Sequence, residues 1–422
     1  MTGVVTTTAP GTAELLEAAA QLTRRFGEDP EYTRAGGGNS SVKDGPTLYI
    51  KPSGVSLASI TASSLMPLAM APRLDLAAAP PGTGIEPEPG GDPVMRVAMA
   101  ARLRDEGERR PSVECVFHAL IPRRFVVHTH PTTVNALTCA ADGKAIARDL
   151  FGDGALWVPY VNPGLPLARE IDRRRRATAD AYRSAAAEVV LLQNHGLIVA
   201  GDEPAAIVER SEEVVGAIRA RLDRASVGSG AGAHASGGPA GPVAADVAAE
   251  VAAHVRPDAA VVERLSRVLA ERLGRPGVPA SVVFDGSRPA ARLAGTPEGR
   301  VLIDAGPLTP DQIVYAGSWP LWLDVPPAAD ETALDATVSL AIHAHRAARG
   351  QAPVIAVAAG VGVFASGPTP QRAETARQLY VDAIRVGLGA IALGGIRPLA
   401  AAERAFIETW EAETYRLSLT GG

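Results

Sequence analysis

The chain has 422 residues, 46% of them hydrophobic, and a formal net charge of −5 at pH 7; that is apolar material for two or three cores rather than one. Net acidity without a basic stripe interleaved with aromatics excludes a nucleic-acid or anionic-membrane surface, and no apolar run has bilayer-spanning length or follows a basic leader. The two cysteines, Cys115 and Cys139, exclude a disulfide framework or zinc ribbon and fit a reducing, cytoplasmic compartment.

In chain order, a short polar tail leads into a helical pattern over 13–26, followed by the glycine-rich stretch Gly36–Gly–Gly–Asn–Ser–Ser–Val–Lys43 and a strand over 47–50. Flexible glycines, an amide, two hydroxyls and the Lys43 cation have the chemistry to approach an anion. A hairpin turn with Asn39 in a left-handed position accounts for the same residues. Lys51–Pro–Ser–Gly–Val55 then offers the Ser53 hydroxyl and the Gly54 amide. The loop over 80–93 is dense in proline and glycine and reads as an ordered surface loop, followed by a helical pattern over 93–105.

Pro111–Ser–Val–Glu–Cys–Val–Phe–His118 places Ser112 two residues before Glu114, and Glu114 four residues before His118. Residues four apart share a helix face, so His118 is read as orienting Glu114 or making a helix-side hydrogen bond. Ser112, Ser53, the Gly54 amide, Asn39 and Lys43 together can form a phosphate or carboxylate pocket. The strand over 125–130, Phe–Val–Val–His–Thr–His, alternates His128 and His130, so both imidazoles leave one face and can converge on one ion. Strands follow over 156–160, 189–193 and 197–200, with Arg173–Arg176 read as a solvated helix face. A third histidine, His195, stands at the turn after the strand over 189–193, where Gly196 lets the chain reverse. Burying several histidines beside a carboxylate is costly unless they are paired or metal-bound, which makes His128, His130 and His195 metal ligands and Glu114 a further ligand or a base.

Residues 225–243 replace periodic hydrophobics with Gly, Ala, Ser and Pro, a flexible linker. It divides the chain into 1–224, a linker with a short helix over 225–256, and a smaller α/β domain over 257–422. That domain is expected to hold a helix over 257–273, strands over 281–284, 300–303 and 354–357, and helices over 370–387 and 400–417. The pair His343 and His345 lies in a helical, Ala-rich stretch, where alternate residues face different ways, and is read as structural. Gly360–Val–Gly–Val–Phe–Ala–Ser–Gly367 lacks the spacing of a dinucleotide fingerprint.

The ordered series GGGNSSVK, KPSG, PSVECVFH, VVHTHP and LLQNHGLIVAG resembles the class II aldolase/adducin family over 13–224. HALIPRRFVVHTHP, GPLTPDQIVYAG and GVGVFASGPTPQRAE are similar to the rhamnose-utilisation (rhamnulose-1-phosphate) aldolases, without the short-chain dehydrogenase domain that longer relatives carry. The resemblance implies an α/β sandwich with a central antiparallel sheet, a homo-oligomer (tetramer or dimer), and Zn2+ or another divalent ion on His128, His130 and His195. It implies that Glu114 ligates the ion at rest and carries the catalytic proton, and that Asn39, Ser53, Gly54 and Ser112 bind phosphate. Two positions depart from the fuculose-type pattern: Val113 replaces a serine of the phosphate site, and no tyrosine stands between Lys144 and Leu156 to protonate the leaving aldehyde. The implied reaction is metal-dependent cleavage of a ketose 1-phosphate, a sugar phosphate of rhamnulose, fuculose or deoxyribulose type, to dihydroxyacetone phosphate and an aldehyde through an enediolate. A sugar-acid decarboxylase or 4-epimerase on the same site is the alternative; an iron-dependent oxygenase or a non-catalytic adducin-like module is the alternative of another class.

Overall fold

A computed structural model of the protein describes residues 11–78, 93–178, 187–230, 257–325, 330–413 and 415. Two compact units divide the chain: Met1–Val134 with Ala147–Gly216 and Trp410–Arg416, and Asn135–Ile146 with Ala217–Thr409 and Leu417–Gly422.

The first unit is built on a seven-stranded sheet in the order β3-β2-β1-β4-β7-β6-β5. Its strands are β1 Asn39–Asp44, β2 Thr47–Ile50, β3 Met66–Ala69, β4 Phe125–Thr129, β5 Leu156–Val158, β6 Ala187–Leu192 and β7 Gly196–Gly201. Every pairing is antiparallel except β5 with β6. Alternate residues of a strand leave opposite faces, and residues paired across antiparallel strands share one face. One face therefore collects Leu48, Ile50, Val126, Val190 and Ile198, which bury against Val116 and Phe117 of the helix Cys115–Leu120 and Leu167 and Ile171 of the helix Leu165–Ala177. The helix Thr12–Glu28 packs on β1 and buries Leu15, Leu22 and Phe26. The outer side of β3 is covered by the chain at 101–103: Ala69 N–H donates to the Ala101 carbonyl, and Leu103 N–H to that of Pro67.

The second unit has a four-stranded sheet in the order β8-β11-β10-β9, with β8 Ser281–Asp285, β9 Leu321–Leu323, β10 Ile355–Ala358 and β11 Gly362–Gly367. Both faces are apolar. Ile355 and Val357 enter one cluster, with Leu293 and Ile384, and Ala356 and Ala358 enter another, with Leu269 and Val338.

Several expectations change. Residues 300–303 are helical, within Pro297–Ala305: the Thr296 side chain caps Gly299 N–H and Pro297 starts the first turn, signals that outweigh a short apolar run. The helix expected over 93–105 is Pro93–Ala100, and the last long helix is Ala401–Thr409. The helix Pro204–Gly230 continues past Ala225, where the linker was expected to begin, because extending a helix costs far less than starting one. The remainder of the linker, and the loop from 80 to 92, lie outside the described residues. No helix among the described residues is long and apolar enough to cross a membrane.

Candidate metal centre

The apolar face of the large sheet turns polar at one end. In register, Asn39 of β1 pairs with His128 of β4, Ser41 with Val126, and His128 with Ile198 of β7, so Asn39, Ser41 and His128 project from the same face as the core. His130 follows β4 directly. His195 lies in the turn between β6 and β7. Among the described residues these three histidines gather their ring nitrogens within 4.8 Å of one another.

The turn that delivers His195 works differently from the expectation. Asn194, not Gly196, takes the left-handed conformation, at φ 56°, a region that asparagine tolerates better than most residues. Gly196 is needed for space: a Cβ there would stand 2.4 Å from the Thr129 carbonyl and 2.9 Å from the His130 ring. Asn39 likewise opens β1 in extended conformation, and the left-handed positions of that stretch are Ala35 and Gly38.

His128 Nδ1 lies 3.0 Å from the Leu197 carbonyl. A carbonyl only accepts, so Nδ1 carries the proton and Nε2 is left with its lone pair. That Nε2 is 3.0 Å from Nε2 of His130. Two nitrogens on one tetrahedral ion at about 2.0–2.1 Å stand roughly 3.3 Å apart, close to this spacing. Glu114 supplies the negative charge. Its Oε2 is 3.6 Å from His128 Nε2 and its Oε1 3.6 Å from His195 Nε2, and among the described residues the buried Oε1 has no hydrogen-bond partner. A buried carboxylate oxygen without a donor is costly, and a cation between the three imidazoles removes that cost. The donor set fits a divalent ion: three neutral nitrogens and one carboxylate.

Behind Glu114 runs a directed hydrogen-bond chain. Asn39 Nδ2 donates to Glu114 Oε2 at 2.5 Å, so its Oδ1 faces His118 and accepts from Nε2. His118 Nδ1 then accepts from the Ser41 hydroxyl at 2.7 Å. Every polar atom in this chain has one role, which fixes His118 as the neutral Nε2-protonated tautomer. Burial, followed by the nearby Lys43 charge, holds the His118 pKa well below the ordinary value, against the pull of Glu114. For Glu114, burial pushes the carboxyl upward, but His128, His195, the Asn39 amide and His130 together overcome it and bring it to about 2. The carboxylate is ionised throughout the neutral range. Glu114 stands at the N-cap position of the helix Cys115–Leu120 with its side chain turned away from the helix amides, so it and His118 meet the two ends of one amide, Asn39.

The expected anion ligands separate into two groups. Pro52 bridges Pro111, and Ser53 N–H donates to the Arg110 carbonyl at 2.8 Å, which brings Ser53 and Gly54 beside the loop of Ser112 and Glu114. Ser112 Oγ accepts from Glu114 N–H at 3.3 Å. Lys43 does not join them. It lies four residues further along the same strand, roughly 14 Å from Asn39 at about 3.4 Å per residue, and its Nζ donates to the Arg123 carbonyl at 2.8 Å. A motif contiguous in sequence extends along the strand rather than wrapping around one point. Asn39 keeps both amide atoms on Glu114 and His118. Arg175, expected on a solvated face, is also mostly buried, paired to Glu188 at 2.6 Å. The signal that sequence reasoning missed is Ser41, whose alternation with Asn39 on one strand face was readable from GGGNSSVK.

Residues 17–222 match the family model described as the class II aldolase and adducin N-terminal domain, and residues 246–417 match that of aldolase class II, second domain. The chain is similar to a Bacillus subtilis (strain 168) protein named uncharacterized oxidoreductase YuxG, with 25% identity across 96% of this chain; it spans 59% of that relative's length. It is also similar to a Haemophilus influenzae (strain ATCC 51907 / DSM 11121 / KW20 / Rd) protein named 3-oxo-tetronate 4-phosphate decarboxylase, at 28% identity over 47% of this chain and 82% of that protein. Among solved structures, the N-terminal class II aldolase domain of a conserved Thermoplasma acidophilum protein aligns at 23% identity and TM-score 0.42, covering 52% of this chain and 97% of that one.

Proposed function

Because the chain belongs to the class II aldolase and adducin family and carries that family's second domain, we propose that it is a metal-dependent aldolase acting on a ketose 1-phosphate. It would release dihydroxyacetone phosphate and a small aldehyde. The observation that supports this most directly is the largely buried triad of imidazoles beside a carboxylate oxygen, Glu114 Oε1, that has no hydrogen-bond donor among the described residues.

His128, His130 and His195 hold the ion in this reading, with Glu114 as the fourth ligand at rest. The bound divalent ion, zinc or another, supplies a Lewis acid that polarises the substrate carbonyl. When the C3–C4 bond breaks, the C4 hydroxyl loses its proton, the bonding pair stays on C3, and C3 is then protonated. Glu114 serves that proton transfer, and Asn39, backed by His118 and Ser41, keeps its carboxylate aimed. Ser53, the Gly54 amide and Ser112 receive the phosphate. The same reading carries a cytoplasmic homo-oligomer and a division of labour in which 1–224 does the chemistry and 257–422 supports it.

Elemental analysis with a dihydroxyacetone phosphate release assay on rhamnulose, fuculose and deoxyribulose 1-phosphates tests it. About one ion per chain with release supports the aldolase; a metal-free protein overturns it. Glu114→Gln is expected to lower kcat about 10²- to 10⁴-fold while the ion stays bound, and an active, metal-loaded variant would remove Glu114 from the chemistry. A second reading, decarboxylation of a 3-oxo acid phosphate, is supported by the similarity to the Haemophilus influenzae protein so named. Decarboxylation has no C4 hydroxyl to deprotonate, so a single carboxylate suffices, and release of CO2 from 3-oxo-tetronate 4-phosphate, with no cleavage of the three ketose 1-phosphates, would favour it.

A further inference from the structure

The loop that carries Ser112 and Glu114 is gripped by a piece of chain from far along the sequence. Trp410–Arg416 clusters with the first unit although it directly follows Ala217–Thr409 of the second in sequence. Ala412 is buried in a small apolar cluster with Met95 and Val113, and Trp410 packs against it. The Trp410 ring also sits where a Cβ on Gly164 would reach it at 3.5 Å. Around Arg110 the grip is polar: Nη1 donates to Glu411 Oε1 at 2.6 Å, the guanidinium lies 4.0 Å from the centroid of the Tyr415 ring, and the Tyr415 hydroxyl donates to the Glu108 carbonyl at 3.4 Å.

These contacts flank the residues that matter. The Arg110 carbonyl accepts from Ser53 N–H, Pro111 bridges Pro52, and Val113 is the immediate neighbour of Glu114. Val113 is the position where the fuculose-type pattern has a serine. A hydroxyl there would be buried against Met95 and Ala412 without an acceptor among them; a valine instead gives the 410–415 segment an apolar anchor.

We propose that the 410–415 segment is a positioning element for the Ser112–Glu114 loop, acting through Val113 and Arg110 to keep the Glu114 carboxylate against the histidines. The proposal rests on the reading of Glu114 as the group that carries the proton. His128, His130 and His195 come from β4 and the β6–β7 turn, so loosening this loop leaves the ion's nitrogen ligands in place and misplaces the carboxylate alone.

The test uses the full-length protein with Ala412→Asp, which puts a charge into the Val113 cluster, and the reversals Arg110→Glu and Glu411→Arg, alone and combined. Metal content, kcat, KM and amide hydrogen exchange are read for each. In Ala412→Asp, kcat is expected to fall about 10- to 100-fold, the range a misplacement of about 1 Å produces, with the ion retained. Exchange is expected to rise in peptides covering 109–116 and to stay unchanged in 125–130 and 190–198. Each reversal lowers kcat about fivefold, as suits a partly exposed pair, and the double variant recovers to within about twofold. Unchanged exchange over 109–116, a uniform rise across the first unit, loss of the ion, or no recovery in the double variant would each overturn the proposal. If the unaltered protein turns over none of the substrates, the aldolase reading fails, and the exchange data still decide whether the segment holds the loop.

Discussion

β1 and β10 are both buried strands, and they spend their burial differently. In β10, Ile355 and Val357 face one apolar cluster and Ala356 and Ala358 another, so no side chain needs a partner. In β1, Asn39 and Ser41 occupy core-facing positions, and each is buried at the cost of about 1–3 kcal/mol if its hydrogen bonds are not made. The first unit meets this with the Ser41–His118–Asn39–Glu114 chain; β10 has no such group to satisfy. The buried polar side chain of the second sheet, Asp285 at the end of β8, is taken up by Arg377 and the Ser287 amide, whereas the chain behind β1 ends on a carboxylate beside three histidines.

Breaking the polar side of this contrast has the largest expected effect. His128→Ala removes both the ligand nitrogen and the Nδ1–H that donates to the Leu197 carbonyl, so metal affinity should fall by more than the roughly 100-fold that loss of a supporting partner costs a metal site, with activity following. Equilibrium dialysis against zinc measures it, and a variant that binds the ion normally would remove His128 from the centre. On the apolar side, Phe364 is 1% exposed in β11, and Phe364→Ala should cost about 3–5 kcal/mol in denaturant unfolding while the folded protein keeps its ion. Loss of metal in that variant would erase the distinction between the two units.

The smallest effect sharpens the boundary of the centre. Burial, then the neighbouring Arg175 charge, pushes the Lys43 amine down from 10.5 to about 7, with Asp202 and Glu188 opposing. A folded pKa below the unfolded one means the fold is penalised fully below pH 7 and relieved as pH rises from 7 towards 10.5. Lys43→Met should therefore stabilise the protein most near pH 6 and progressively less towards pH 10, without changing metal content. Thermal melts across that range check it; a variant that also loses phosphate-dependent activity would bring Lys43 back to the substrate.

Much of the centre was legible because its spacing is local. His–Thr–His on an apolar strand, a histidine after a buried strand, and Glu114 four residues before His118 all translate directly into shared faces. Contacts made through three-dimensional packing were not legible: the alternation of Ser41 with Asn39 could be read, but that Ser41 reaches His118 depends on β1 and the helix Cys115–Leu120 being neighbours, a relation that no spacing encodes. Lys43 was drawn into the anion site by proximity in sequence, whereas an extended strand carries it away. The helix at Pro297–Ala305 shows the converse, since its capping threonine and proline were present in the sequence and a short apolar run was given more weight. The placement of Trp410–Arg416 with the first unit could not be read at all, because it depends on where a distant helix ends.

The covering of β3 by residues 101–103 has a consequence for how the protein avoids misassembly. An uncovered outer strand offers a row of free amides and carbonyls to any passing chain. Here Pro67 brings no amide to β3, its carbonyl is taken by Leu103, and Ala69 N–H is taken by Ala101. The opposite margin, β5, is only three residues long, too short a template for a foreign strand. The β3 margin of the large sheet is thus closed to intermolecular strand addition, and the β5 margin offers a template only three residues long.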